Sequence, residues 1–213
     1  MKIGIIGSGG VATALAAGFL ARGDQVMLGT RDPAKLAAWQ KEHPSAQVRS
    51  VEEAALFADM AVLAVKGTVA ESVLRTAAAQ LAGKVVIDTS NPISDAPPVQ
   101  GVLQYFTGPN ESLFERLQRA HPQLRLVKAF NSVGAGLMVQ PKLAGGRPTM
   151  FIAGDDAAAR AEVARVLDDF GWDVDDMGAA AAARAIEPLA MLWCIHGLLR
   201  NDWSHALRMQ RPE

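Results

Sequence analysis

The sequence has only one cysteine, Cys194, only one tyrosine, Tyr105, and a formal net charge of −1. A single cysteine excludes an intrachain disulfide framework. The four histidines are scattered without metal-ligand spacing, so we expect no metal site. The nearly balanced charge argues against a nucleic-acid partner, which would require a basic face. The apolar N-terminal run is too short for a signal peptide or a membrane span, and we expect a soluble, cytoplasmic protein with no membrane partner.

Aromatic residues are also scarce, at 6%, although half of the 213 residues are hydrophobic. The core must therefore be built from Ala, Val, Leu and Ile, which is the usage expected when helices cover both faces of a parallel sheet. The length suits one full α/β domain with a small addition, and is too short for two complete domains.

Strand-like runs alternate with helical patterns through most of the chain. The predicted strands are residues 3–6, 25–28, 60–65, 84–88, 126–130, 149–153 and 173–174, with a short one at Val48. This alternation predicts an α/β fold with a doubly wound, mostly parallel, Rossmann-like sheet and a small α-helical C-terminal element. We divide the chain into a dinucleotide-binding domain, 1–177, and a helical C-terminal segment, 178–213, with interruptions at Pro188 and Gly197. Residues 93–110, rich in turn signals, are interpreted as a lid or surface excursion.

The first predicted strand breaks into a glycine loop, GSGGVA at residues 7–12, which opens the first predicted helix. This is the Gly-x-Gly-x-x-Ala form of the dinucleotide fingerprint. Gly7 permits the tight turn, Gly9 lets the backbone approach a pyrophosphate, and Ala12 lets the helix lie close to the sheet. The helix N-terminus then offers unpaired N–H groups to the phosphates. The position between a strand and a helix favours a dinucleotide site over a tight turn without a ligand.

The end of the second predicted strand distinguishes NADP from NAD. An acidic residue there would hydrogen-bond the adenosine ribose and repel a 2′-phosphate, but this chain has Thr30 and Arg31. Arg31 can make paired charge-assisted bonds to phosphate, and Lys35 lies one helical turn beyond it. The alternative is that Asp32 acts as the ribose acid, although we favour a capping role for it before Pro33. We therefore predict NADP.

Two further strand ends are expected to line the same crevice, because ligands bind outside the carboxyl ends of parallel strands. Val65 and Lys66 follow the fourth predicted strand, and Asn91 follows the fifth. Asn91 precedes a proline and is therefore held extended, facing the nicotinamide ribose or carboxamide. The alternative is ordinary turn chemistry for Asn91 and an ordinary surface position for Lys66.

Several segments together resemble a known family. They are the glycine loop, residues 29–35 (GTRDPAK), residues 128–131 (KAFN) and the C-terminal pieces 176–178 (DMG) and 183–189 (ARAIEPL). In this order they resemble the NADP oxidoreductases that depend on the deazaflavin coenzyme F-420. The resemblance implies a dinucleotide domain with a small helical C-terminal region and direct hydride transfer between nicotinamide and deazaflavin.

The resemblance also implies roles for individual residues. The resemblance implies that the pyrophosphate is contacted by Ser8, Gly9, Gly10 and Val11. It implies that the 2′-phosphate is held by Thr30, Arg31 and Lys35. We expect Ala129 and Asn131, at the end of a late strand, to shape the nicotinamide pocket. Residues 93–110 carry no motif that we assign to deazaflavin binding.

No residue is assigned as a catalytic acid, base or nucleophile. Cys194 and His196 lie near each other in the C-terminal helix without an orienting third group, so we interpret Cys194 as a small apolar residue. Hydride transfer between two aligned rings needs little acid–base help. We therefore predict an NADP-dependent oxidoreductase that uses a deazaflavin, a flavin or a small acceptor. The alternatives are a carbonyl or imine reductase, for which a tyrosine–lysine pair is missing, and a non-catalytic NADP-binding sensor.

The predicted C-terminal helix carries an apolar stripe. Its members follow helical spacing: Leu189, Leu192, Trp193, His196 and Leu199. One hypothesis is a homodimer in which this stripe packs against the partner and helps to cover the nicotinamide site. The other is packing of the stripe onto the chain's own sheet.

Overall fold

The first strand lies at the centre of a six-stranded parallel sheet. A computed structural model describes residues 1–212. The strands are β1 (Lys2–Ile6), β2 (Gln25–Gly29), β3 (Gln47–Arg49), β4 (Met60–Leu63), β5 (Val85–Asp88) and β6 (Arg125–Lys128). Their order in the sheet is β3-β2-β1-β4-β5-β6, and every pairing is parallel. The order reverses between β1 and β4, which is the topological switch point of a doubly wound fold.

Helices cover both faces of this sheet. They are α1 (Gly10–Ala21), α2 (Ala37–Glu42), α3 (Val51–Phe57), α4 (Gly67–Leu81), α5 (Leu113–Ala120), α6 (Ala157–Asp169) and α7 (Ala183–Arg200). One hydrophobic cluster packs α1 and α6 against one face, and a second packs α3, α4 and α5 against the other. Strands β4 and β5 are buried along their whole length, as is typical of strands covered by helices on both faces. The predicted fold class is confirmed.

The last two strands do not extend the main sheet. β7 (Thr149–Ile152) and β8 (Asp173–Asp176) form a separate parallel pair. A single antiparallel bridge between Lys128 and Ala153 links this pair to the end of β6. Because that bridge runs antiparallel, the chain cannot continue the parallel ladder there.

The prediction that Pro188 and Gly197 interrupt the C-terminal helix is wrong. Helix α7 runs from Ala183 through both residues to Arg200. Pro188 lies near its start, where the missing N–H deprives only the carbonyl of Arg184 of a helical partner. Gly197 provides space, because a Cβ there would lie 2.2 Å from the Trp203 indole that folds back over the helix.

The helix ends where Asn201 adopts a left-handed conformation, with φ at 53°. Residues 201–207, predicted as helical, are irregular and return along β7. The amide of Thr149 donates to the carbonyl of Leu207 at 2.9 Å, and the amide of Met209 donates to the Thr149 hydroxyl at 2.9 Å. The C-terminal segment therefore combines one helix with a returning tail.

The excursion at residues 93–110 lies against the C-terminal helix. Tyr105 Oη donates a hydrogen bond to the backbone carbonyl of Glu187 at 2.8 Å. Two isolated bridges, Ile93 with Tyr105 and Val99 with Val102, order the excursion internally. By length and composition, residues 180–200 would also satisfy the criteria for a membrane span, but one such helix is weak evidence. Here Glu187 and Trp193 of that segment are buried within the protein.

Candidate dinucleotide site

A chain of four neighbouring cavities runs along the carboxyl edge of the sheet. After the parts of the dinucleotide that the sequence analysis predicts at each position, we call them the adenosine, phosphate, nicotinamide and outer cavities; their volumes are about 620, 380, 360 and 500 Å³. Thr30 and Arg31 line both of the first two cavities, and Gly9 and Lys66 line both the second and the third. Thr68 lines both the third and the fourth. Each volume falls in the range of small-molecule sites, about 300–1,000 Å³.

The glycine loop separates the phosphate cavity from the nicotinamide cavity. Gly7 has φ at +144°, and a Cβ on it would lie 2.2 Å from the carbonyl oxygen of Ala64. Only glycine fits this turn. A Cβ on Gly9, by contrast, would meet nothing within 4 Å, so the backbone there faces open space. Ala12 is fully buried where α1 packs on the sheet.

The residues after β2 line the phosphate cavity. Thr30, Arg31 and Lys35 lie there together with Gly7, Ser8 and Gly9. The Thr30 hydroxyl accepts a hydrogen bond from the Asp32 amide at 3.1 Å, which fixes the turn. Asp32 Oδ1 in turn accepts from the amide of Ala34 at 3.2 Å and caps the short 3-10 helix Pro33–Leu36. This is the capping arrangement that we favoured over a ribose contact.

The nicotinamide cavity is lined by the residues after β4 and β5. Gly10, Val11, Val65, Lys66 and Asn91 all lie on it. Its walls also include residues that the sequence analysis did not single out, the most polar of which are Thr68, Thr89, Ser90, Ser94 and Asp95. Thr68 is the second residue of α4, and the other four belong to the irregular segment after β5, where no motif marks them.

Ala129 and Asn131 do not line the four cavities, and only Asn131 is bonded to Asn91 of the cavity wall. Ala129 is fully buried, and Asn131 is 6% exposed. Asn91 Nδ2 donates to the backbone carbonyl of Asn131 at 2.7 Å, and Asn131 Nδ2 donates to Asn91 Oδ1 at 3.1 Å and to the Ile186 carbonyl at 3.0 Å. Phe130, which lies between Ala129 and Asn131 in the sequence, has φ at 61°, a strained left-handed conformation. Asn131 therefore joins the cavity wall to α7.

Beneath this wall lies a buried ionic cluster that the sequence analysis missed. Lys128 and Asp88 are wholly buried, and Glu187 is 1% exposed. Lys128 Nζ lies 2.7 Å from Asp88 Oδ2 and 3.1 Å from Glu187 Oε1. Burial by itself would lower the pKa of Lys128, but the two carboxylates outweigh it and raise that pKa above its ordinary value. The ammonium therefore stays charged.

The remaining candidates for chemistry are unremarkable. Burial raises the pKa of the Cys194 thiol, which disfavours the reactive thiolate. Burial and the nearby charge of Glu187 raise the pKa of Tyr105, so its hydroxyl remains protonated. The titratable groups that line the nicotinamide cavity are Lys66 and Asp95, both exposed. Within residues 1–212 no group of three or more His, Cys, Asp or Glu side chains is placed to hold a metal.

The four cavities together form one groove along the edge of the sheet. A further cavity of about 690 Å³ lies away from this groove, near α5 and residues 179–181. Its charged lining residues already have partners: Arg125 pairs with Asp156 at 2.5 Å, and Glu115 pairs with Arg184 at 2.6 Å. Despite its size, we give it less weight than the groove, which lies at the switch point of the sheet.

The groove fits a dinucleotide. Gly9 leaves open space at the N-terminus of α1, and Arg31 and Lys35 supply positive charge in the same cavity. At the other end, Ser94 lines the nicotinamide cavity, and its Oγ is buried without a hydrogen-bond partner in the described chain. A carboxamide carries a donor that this oxygen could accept from. The fold and the groove together define a dinucleotide-binding protein of the Rossmann class.

Comparison with known proteins identifies the family. Residues 2–92 match the family described as NADP oxidoreductase, coenzyme F420-dependent. The crystal structure of a candidate F420-dependent NADP reductase from Arthrobacter sp. FB24 is 34% identical, with a TM-score of 0.92 over 99% of this chain and 100% of that one. The chain belongs to this family of NADP oxidoreductases, and its dinucleotide is NADP(H).

Two other similar proteins differ more from this chain, the first in length and the second in sequence. Rat metalloreductase STEAP3 is 35% identical over 204 residues, which are 93% of this chain and 39% of the rat protein. This chain thus spans about two fifths of that relative. An imine reductase from Myxococcus stipitatus in complex with NADP⁺ has a TM-score of 0.69 at 20% identity, covering 94% of this chain and 63% of that one. The second likeness shows the fold alone.

Proposed function

We propose that the protein transfers hydride between NADP(H) and a second redox molecule of the deazaflavin or flavin type. The observation that carries this proposal is that Gly9, Arg31 and Lys35 line one cavity, which continues into the nicotinamide cavity. The family membership and the printed descriptions of its members support the same reaction. A cytoplasmic location, expected from composition, is part of the proposal.

The residues of the groove would divide the work of binding. Arg31 and Lys35 would pair with the 2′-phosphate, and Thr30 would hold the turn that presents them. The backbone at Ser8, Gly9, Gly10 and Val11 would donate to the pyrophosphate. Val65, Lys66 and Asn91 would contact the nicotinamide half, and Asn131 would hold Asn91 through their mutual hydrogen bonds.

When bound, NADPH supplies a hydride from its nicotinamide ring. The walls of the nicotinamide cavity would then serve to orient the ring and exclude water, since Thr89, Ser90 and Asn91 are polar but not acid or base catalysts. The outer cavity continues from this end and includes Phe106 in its lining. We assign the acceptor to this side because its ring must stack on the nicotinamide.

The test is a panel of acceptors with purified protein and NADPH, followed at the nicotinamide absorbance band. The panel contains oxidised deazaflavin, FMN, a ferric chelate, and carbonyl and imine compounds. We expect turnover with deazaflavin or flavin. Gly9→Ala is the comparison variant, because its methyl group would meet no protein atom within 4 Å but would fill the pyrophosphate path. It should lower kcat/KM for NADPH by at least about tenfold in a folded protein.

The panel also separates the alternatives. Turnover with carbonyl or imine compounds alone would replace the proposed acceptor. Tight NADPH binding without turnover on any acceptor would overturn the enzymatic proposal and favour a non-catalytic NADP sensor.

We also propose that the protein forms a homodimer through the outer face of α7. The apolar stripe predicted from the sequence divides in the structure: Trp193 is 7% exposed, whereas Leu192 and Leu199 are 56% and 59% exposed. Val99 is equally exposed at 59%, and it lies two residues before Gly101, which packs against Leu199. An apolar surface of this kind on one side of a helix is typical of an interface.

A further inference from the structure

The buried cluster of Lys128, Asp88 and Glu187 joins the ends of two paired strands to the C-terminal helix. Lys128 ends β6, Asp88 ends β5, and Glu187 lies in α7. The Glu187 carboxylate also accepts hydrogen bonds from the amides of Leu113 and Phe114, at 3.0 and 2.9 Å, at the start of α5. Four elements therefore converge on one ammonium group and its two carboxylates.

The cluster is bonded directly to the wall of the nicotinamide cavity. Lys128 Nζ donates to the backbone carbonyl of Ser90 at 2.6 Å. Asp88 Oδ1 accepts from the Ser90 amide at 2.9 Å and from the Ser90 hydroxyl at 2.6 Å. Ser90 lines the cavity with its neighbours Thr89 and Asn91. The ammonium and the carboxylate thus hold Ser90 through its carbonyl, its amide and its hydroxyl.

Stability alone does not account for this arrangement. Desolvating three charges is costly, and well-packed apolar residues of similar volume often stabilise a protein as much as a buried ion pair. The cluster carries two negative charges and one positive, and the amides at the N-terminus of α5 offset the surplus. An apolar core could not supply the directional hydrogen bonds that the cluster makes to the turn at residues 88–91.

We propose that Lys128 is a positioning residue for the nicotinamide half of the dinucleotide, acting by holding the turn at residues 88–91 in its binding geometry. This inference rests on the proposed function, because it requires the nicotinamide half to lie in this cavity. Lys128 makes no contact with the adenosine or phosphate cavities, whose lining residues belong to other turns. Its effect should therefore be confined to one end of the groove.

The test compares two ligands on the full-length protein. NADPH fills the whole groove, whereas adenosine 2′,5′-bisphosphate occupies only the adenosine and phosphate cavities. Titration calorimetry gives both Kd values for the wild type, Lys128→Met and the matched control Lys84→Met. Lys84 begins the β5 region at the opposite edge of the sheet, where it donates to the carbonyls of Ala55 and Leu56 at 2.9 and 3.2 Å.

Lys128→Met should raise the Kd for NADPH by about tenfold, the loss expected for a charged hydrogen bond, and leave the bisphosphate Kd within about twofold. Lys84→Met should leave both Kd values unchanged. An equal change in both Kd values for Lys128→Met, or no change in either, would overturn the inference.

A milder variant covers the case in which Lys128→Met does not fold. Ser90→Ala keeps all three charges and removes only the hydroxyl bond to Asp88. It should raise the NADPH Kd by about fivefold with no effect on the bisphosphate. If both Kd values stay at wild-type level for Ser90→Ala, the inference is wrong. Failure of the wild type to bind NADPH at all would instead overturn the proposed function.

Discussion

At the scale of single residues, Gly7 and Gly9 of the glycine loop have different roles. Gly7 is required by the fold, because its φ of +144° and the nearby Ala64 carbonyl leave no room for a side chain. Gly9 is not required by the fold, since the space beside it is open. Its small size matters only if a ligand occupies that space.

This difference predicts opposite outcomes for two matched substitutions. Gly7→Ala should lower the free energy of unfolding by several kcal/mol, because strain and a backbone clash add together. Gly9→Ala should leave unfolding within about 0.5 kcal/mol of the wild type and weaken NADPH binding by at least about tenfold. Urea denaturation and NADPH titration on both variants check this. Unchanged NADPH affinity in a folded Gly9→Ala variant would contradict the dinucleotide role of the loop.

Sequence reasoning predicted the cavity-lining residues that belong to local motifs. The glycine loop and the Thr30–Arg31 turn are readable because the whole motif lies within a few residues of a strand end. The Lys128 cluster was not found, because its partners Asp88 and Glu187 are 40 and 59 positions away. Lys128 and Glu187 do lie in the segments 128–131 and 183–189 that carry the family resemblance, but those segments do not pair them with each other or with Asp88. Only the folded topology shows which carboxylates meet Lys128.

At the scale of elements, α7 shows why breaker residues misled the sequence analysis. Pro188 and Gly197 are unfavourable in helix interiors on average, yet here tertiary contacts override propensity. The helix is held by Glu187 at the N-terminus of α5, by Asn131 at the Ile186 carbonyl and by the returning Trp203. Each of these contacts is made with a residue outside the helix, so the continuous helix was not predictable from its own residues.

The link between α5 and α7 should depend on pH. Bonding to the Arg184 guanidinium lowers the pKa of Glu115 from 4.5 to about 2. The pair therefore contributes stability that is present above pH 4.5 and lost as the pH falls towards about 2. Because Arg184 is partly exposed, we expect only about 1 kcal/mol from the pair. Glu115→Gln should show this deficit in urea denaturation at pH 7 and lose it near pH 2.

The control for this prediction is Glu111→Gln. Glu111 pairs with Arg116 and Arg119 of the adjoining α5 and so makes no bridge to α7. Amide hydrogen exchange in α7 should accelerate in the Glu115 variant and stay at the wild-type rate in the Glu111 variant. Equal exchange rates in α7 for both variants would contradict a role for Glu115 in holding that helix.

At the scale of the whole molecule, the main sheet was predictable and its continuation was not. The alternation of strands and helices predicts a doubly wound parallel sheet, which strands β1 to β6 form. The separate β7–β8 pair depends on the antiparallel bridge between Lys128 and Ala153, which the alternation of strands and helices does not reveal. The proposed division at residue 178 remains a prediction.

The proposed dimer has a direct test in solution. Sedimentation at micromolar concentration should show a dimer for the wild type and a monomer for Leu192→Glu, because the new charge would be desolvated at the interface. Leu56→Glu is the matched control, since Leu56 is 70% exposed on α3, away from α7. It should remain a dimer. A monomeric wild type would refute the proposal.

The central claim is that Arg31 and Lys35 make this groove a site for the 2′-phosphate of NADP(H). The most direct measurement is the ratio of the Kd values for NADH and NADPH, in the wild type and in Arg31→Gln. We predict that the wild type binds NADPH at least about tenfold more tightly, as one charge-assisted bond provides, and that Arg31→Gln loses most of this preference. Equal wild-type affinities for NADPH and NADH would contradict the claim.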